Sequence, residues 1–151
     1  MLALLTGSAL AKESGLFILR DSFEHCKKIA YLTPKGDERF EGEKDFDAEP
    51  MESGPTNAIE LDFFNEKLAK IVMTFKPEYS TKAQWKAMID ARRRLHDSLD
   101  LCDLRNNECY EWTDGDSAER LMYYPDKPAI TTMIIDRAPY KKAVSKKKKR
   151  A

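Results

Sequence analysis

The sequence predicts an α+β domain in which two helices pack on one face of an antiparallel sheet of about five strands. Three observations carry that expectation. Apolar and polar residues alternate over 59–64 and again over 68–75, the period of a strand with one buried face. Apolar residues recur every three or four positions over 82–101, the period of a helix. The predicted strands are joined by short connections, which makes sequential strands antiparallel neighbours. With both helices on one side, each strand has to bury only one apolar face. At 151 residues the chain has one domain's length. Such a chain buries about two thirds of its unfolded surface, so it needs neither a metal nor a dense disulfide framework to fold.

Residues 1–11, MLALLTGSALA, are expected to be the remnant of an export signal. They form an apolar lead with Ala9 and Ala11 at the spacing a signal peptidase accepts, followed by a sharp step to Lys12, Glu13 and Ser14. No basic residue precedes Leu2, and no Cys stands at the boundary for lipid attachment. Residues 12–140 then make the single domain. Leu16 to Leu19 is a short apolar run with the character of a strand. Asp21 or Ser22 can cap a helix running to about Ala30, with Phe23, Cys26, Ile29 and Ala30 on one face. Thr33, Pro34, Lys35 and Gly36 are a turn cluster that ends it.

Residues 37–58 read as an acidic loop. From Asp37 to Asp62 ten carboxylates face only Arg39 and Lys44, and Gly42, Pro50, Ser53, Gly54 and Pro55 add breakers, so at most one short strand is expected near Phe40 to Phe46. Ile59, Leu61 and Phe63 then form one face of a strand, Asn65, Glu66 and Lys67 the turn, and Ile71, Met73 and Phe75 the matching face of the return strand from Leu68. Lys76-Pro77 ends it. Thr81 with Gln84 three residues on resembles a capping box, and Trp85, Met88, Ile89, Arg92, Leu95, His96 and Leu99 give the helix over Lys82 to Leu101. Strands follow at Glu108 to Thr113, Ala118 to Tyr124 and Ala129 to Ile135, with a turn at Asp114-Gly115-Asp116.

The balance of 26 basic and 26 acidic residues hides an asymmetry. Seven of the basic residues and none of the acidic ones fall in 141–151, KKAVSKKKKRA, so the body is acidic and the end is a basic, solvated tail. The cations from Lys141 to Arg150 offer a nonspecific contact to a polyanion, nucleic acid included, although the body shows no nucleic-acid recognition module. No apolar run is long enough to span a membrane as a helix.

Chemistry-bearing constellations are sparse. His25 and Cys26 are neighbours on a helix and point about 100° apart, which does not suit a thiol nucleophile and its base. Asp114, Asp116 and Glu119 around Gly115 lack the ligand spacing of a calcium loop. No zinc motif, other metal site, catalytic residue or cofactor motif is legible. Cys102 and Cys109 flank the polar stretch DLRNNE and can close a disulfide in an oxidising compartment; in the cytosol they stay thiols. Arg92, Arg93 and Arg94 sweep about 200° of the helix, so at least one lies near the apolar face. Arg93 and Arg94 are candidates for gripping an acidic partner or a phosphate, or else pair with carboxylates across the sheet. Tyr110 and Trp112, with Tyr123 or Tyr124, are either core or an aromatic binding surface on the open face of the sheet.

The segment IELDFFNEKLAKIVMTF at Ile59 to Phe75, the long helix after it, and ECYEWTDGDSAERLMYY resemble the small bacterial periplasmic proteins of the beta-lactamase-inhibitor-protein-like kind, a group that includes the small outer-membrane-assembly lipoproteins. The entry Leu19-Arg20-Asp21-Ser22-Phe23 is similar to the way such repeats open. The resemblance covers residues 16–136 and implies helices on one face of an antiparallel sheet, with the open face or loops binding other proteins. It carries over no functional residue. The expectation is thus a non-enzymatic, periplasmic or secreted domain that binds another protein or an envelope component. The alternatives are a ligand-binding or enzymatic domain with a pocket lined by Trp85, Trp112 and tyrosines, or a cytoplasmic polyanion-binding protein.

Overall fold

The hairpin over Ile59 to Phe75 is the centre from which the fold is built. In the computed structural model, which describes residues 17–36, 38–96, 99–102 and 108–150, strands β3 (Thr56–Phe64) and β4 (Lys67–Phe75) pair antiparallel. Asn65 (φ 48) and Glu66 (φ 66) both take positive φ between them, the turn whose twist matches the flanking strands. Before them come helix α1 (Phe23–Ile29) and strands β1 (Leu32–Pro34) and β2 (Glu43–Ala48). Helix α2 (Lys82–Leu95) follows, then β5 (Asp100–Leu101), β6 (Glu108–Asp114), β7 (Ser117–Tyr124), β8 (Ala129–Asp136) and helix α3 (Ala138–Arg150).

The α+β class and the antiparallel sheet agree with the expectation, but the sheet has eight strands in the order β1-β2-β3-β4-β8-β7-β6-β5. Each half of the chain is a helix followed by a meander of four strands, and the last strands of the two halves pair at the centre. The extra strands lie where sequence signals were weakest. β1 lies in the turn cluster, β2 in the acidic loop where at most one short strand is expected near Phe40 to Phe46, and β5 in what reads as the end of the long helix, which stops at Leu95 instead of Leu101. Both β1 and β5 are short outer strands, whose register is set by the neighbour they pair with. The apolar run ending at Leu19 is no strand over its described residues; Phe17 is a fully buried core plug. Residues 1–11, where an export signal is expected, lie outside the described residues.

The strand registers sort the side chains into two faces. Phe46, Leu61, Ile71, Ile134, Glu119 and Trp112 stand opposite one another across six strands and so point to one side. Both α1 and α2 cover that side. Phe23 of α1 packs on Phe46 and Phe63 at centroid distances of 5.0 and 5.2 Å, and Trp85 of α2 packs on Tyr123 and Tyr110 at 5.4 and 6.1 Å. The two halves thus use the same device, one aromatic from a helix seated on two from its meander. Ser22 caps α1 through the His25 N–H, and Thr81 with Gln84 forms the expected capping box on α2.

The basic end departs most from expectation. The segment 141–151 reads as a solvated tail, yet residues 138–150 are helical. Tyr140 anchors this helix by packing edge-on against Phe64 at 4.7 Å and donating to Asp62 Oδ2 at 2.8 Å. Lys141 reaches Asp116 at 3.3 Å and Arg150 reaches Glu41 at 2.9 Å. Those carboxylates lie in the acidic body, so the charge asymmetry of the sequence has become an attraction between α3 and the sheet.

Candidate functional site

The side of the sheet away from α1 and α2 carries a second set of rows. One runs Asp45, Asp62, Lys70, Ile135, Ala118 and Thr113, the next Asp47, Glu60, Val72, Met133, Arg120 and Glu111, and a third includes Thr74, Thr131, Met122 and Cys109. Val72, Met133, Ile135, Met122 and Tyr124 make the middle of this face apolar and half-buried. Helix α3 crosses one end of it, from Asp116 past Asp62 and Phe64 to Glu41. The flanks are polar: Arg120 pairs with Glu111 at 2.6 Å on one side, and Lys35 with Glu60 at 2.6 Å on the other.

The aromatic residues expected here are mostly elsewhere. Tyr110, Trp112 and Tyr123 belong to the helix-covered side, where Trp112 and Tyr123 are each 7 % exposed, so they are core rather than an open-face surface. The reason is their parity. Each alternates in phase with a core row, which a single strand cannot reveal until its neighbour's register is known. Tyr124 alone of the four lies on the open face, its hydroxyl 3.7 Å from Met122 Sδ. Arg93 and Arg94 are exposed on α2, and the Arg93 guanidinium sits 5.5 Å from the Tyr110 ring centroid. Arg92 is the arginine of the run that turns inward, bound to Glu119.

Cys102 and Cys109 are joined as a disulfide that ties β5 to β6, and Cys26 is a buried thiol that burial and then the charge of Asp21 push up to about 12. That leaves the Cys26 thiol inert as a nucleophile.

Beneath α3, the open face holds a cluster that sequence reading missed. Glu43, Asp45 and Asp62 bring carboxylate oxygens within 4.8 Å of one another. Lys70 Nζ lies 3.1 Å from Asp62 Oδ2, which also accepts from Tyr140. Burial pushes Asp45 up to about 7, helped by its bond to Asp62 and by the charges of Asp62 and Glu43, with Lys70 opposing. Burial raises Asp62 as well, but the bond from Asp45, the Lys70 charge and the Tyr140 hydroxyl outweigh it and hold Asp62 below the usual carboxylate range. A proton taken up by the pair therefore sits on Asp45 rather than on Asp62. The legible signal was the spacing of Glu43 and Asp45, two residues apart as strand neighbours on one face are. It was obscured because the segment reads as a loop, and Asp62 joins only through strand pairing.

Clefts open on both sides of the sheet. One of about 310 Å³ runs between α3 and the start of β2, with Arg39, Lys142, Lys146, Lys147 and Arg150 around Glu41. Another of about 330 Å³ opens on the helix side beside Trp112, Ile71, Glu119 and Ile134. Among the described residues no helix is long and apolar enough to cross a membrane. Comparison with known proteins finds no matching family model, no matching curated sequence and no matching solved structure.

Proposed function

We propose that the chain is a non-catalytic interaction domain, exported from the cytoplasm, that docks another protein on the open face of its sheet. The observation that carries this reading is the half-buried apolar centre formed by Val72, Met133, Ile135, Met122 and Tyr124 on the three adjacent strands β4, β8 and β7. A sheet face left to solvent ordinarily alternates to polar residues there, and a contiguous apolar patch marks an interaction surface. Tyr and Met are also residue types that interfaces favour. The Cys102–Cys109 disulfide supports export, because such bonds persist in oxidising compartments. The resemblance to beta-lactamase-inhibitor-protein-like domains points the same way and stands as part of the proposal.

A photo-crosslinking residue placed at Met133 in the native producer tests the reading. The expected result is one dominant protein adduct, absent when the crosslinker stands at exposed Tyr31 on the far edge, and lost when Met122→Lys is combined with it. Adducts of equal yield from both positions, or none from Met133 in a folded protein, would refute open-face docking. One observation favours a second reading, a small-ligand site on the other side: the inward polar pair Arg92–Glu119 beside Trp112 and the cleft there. Quenching or shift of tryptophan fluorescence by a small molecule, lost in Trp112→Phe, would support it over docking.

A further inference from the structure

We propose that Glu43, Asp45 and Asp62 form a binding site for one divalent cation of calcium's size. The starting point is an orphaned oxygen. Glu43 is only 4 % exposed, its Oε1 accepts from the Arg39 N–H at 2.8 Å, and its Oε2 is shielded from solvent with no hydrogen-bond partner among the described residues. Asp45 Oδ1 is likewise shielded and without a hydrogen-bond donor among them. Buried carboxylate oxygens without a donor are costly, and each such case in a native structure calls for a partner. Both residues belong to one cluster, since one carboxylate oxygen from each of Glu43, Asp45 and Asp62 lies within 4.8 Å of the others.

That separation is compatible with calcium. Two oxygens on opposite sides of one cation are about twice the metal–oxygen distance apart, roughly 4.6–5.2 Å for calcium at 2.3–2.6 Å and about 4.0–4.2 Å for magnesium. A spread of up to 4.8 Å therefore admits calcium without movement of the strands. Three hard carboxylates with no soft ligand point to the same class of ion. Charge agrees. With all three carboxylates ionised, as an ion that displaces any proton on Asp45 would leave them, the cluster less the Lys70 ammonium carries −2, which one divalent ion neutralises.

Lys70 and Tyr140 both engage Asp62 Oδ2, on the side toward α3. The adjoining cleft of about 320 Å³, lined by Lys35, Arg39, Glu60 and Lys70 among others, gives room for the remaining water ligands and for Lys70 to turn outward. Lys35 is already paired with Glu60 and Asp47. An ion here would tie β2 to β3 and, through Asp62 and Tyr140, to α3 at the end of the open face. The inference is independent of the docking reading, and each can fail without the other.

Calcium alone, titrated calorimetrically into the full chain stripped of metal, tests it. The expected outcome is one saturable site, and a Tm raised by about 3 to 5 °C at ten times Kd. Magnesium should bind at least tenfold more weakly. Glu43→Gln, which keeps the acceptor for the Arg39 N–H, and Asp45→Asn should each weaken calcium at least tenfold. Using both keeps the test open if one variant folds poorly. Terbium should luminesce when tyrosine is excited, because Tyr140 touches Asp62, and Tyr140→Phe should dim that signal while calcium still binds. Absence of calcium binding in folded wild type, or unchanged affinity in both carboxylate variants, overturns the site; magnesium binding as tightly as calcium overturns the size assignment.

Discussion

Replacing Glu119 by leucine leaves the Arg92 guanidinium stranded in the core. Arg92 has no exposed side-chain surface, and its Nε and Nη2 donate to Glu119 Oε1 at 3.3 and 3.0 Å. The guanidinium lies 5.6 Å from the Trp112 ring centroid, and its Nη1 has no hydrogen-bond partner among the described residues. Removing one member of such a pair costs about 3–5 kcal/mol, a large share of the 5–15 kcal/mol that holds a domain together. At about 2–4 °C per kcal/mol for a chain of this size, Glu119→Leu should lower Tm by about 6–20 °C. The double variant Arg92→Met/Glu119→Leu removes both charges and should recover most of the loss, with a coupling above about 2 kcal/mol.

Titration supplies an independent check on the same pair. Burial pushes Glu119 up to about 7, with the Arg92 charge and its hydrogen bonds opposing. The folded state then holds a proton at Glu119 more tightly than the unfolded chain, where the group titrates near 4.3. Stability from this group is therefore full below about pH 4 and falls as pH rises through 7, by roughly 2–3 kcal/mol between pH 5 and 8. Glu119→Gln, which cannot titrate, should flatten that fall. Arg92→Met should be milder at pH 5 than at pH 8, because Glu119 left without its cation can take up a proton. Urea unfolding of the five proteins at both pH values measures all of this. Single losses that add to within about 0.5 kcal/mol in the double variant, or a Glu119→Gln slope equal to wild type, would refute the reasoning.

Reduction of the Cys102–Cys109 bond, whose partners are 7 positions apart, should lower stability by about 2.5 kcal/mol, and urea midpoints with and without reductant measure it. Gly42 has φ +84, and a Cβ there would meet Asn65 Oδ1 at 2.8 Å, so Gly42→Ala should cost more than about 1 kcal/mol, with thermal melts as the check. Tyr140→Phe deletes the hydroxyl that donates to Asp62 and should cost about 1–2 kcal/mol. Faster amide exchange along α3 than along α2 would show that this anchor is what holds the helix; equal exchange would argue that it is not.

Local signals carried much of the architecture. The alternation in Ile59 to Phe75, the helical period from Lys82 and the Thr81–Gln84 box act between residues close in the chain, so they were legible without the fold. The Cys102–Cys109 pair was legible for the same reason, since a short loop brings the two sulfurs together. What required tertiary structure was everything set by a distant partner. β1 and β5 exist only because β2 and β6 offer them hydrogen bonds. The basic end is a helix because Phe64 and Asp62 give Tyr140 a seat, which no propensity within KKAVSKKKKR supplies. Tyr110, Trp112 and Tyr123 went to the core because sheet register assigns faces, and a period of two says only that a strand has two faces. The Glu43, Asp45 and Asp62 cluster is the strongest case: its members span two strands, and strand pairing alone turns three like charges in an acidic sequence into one site.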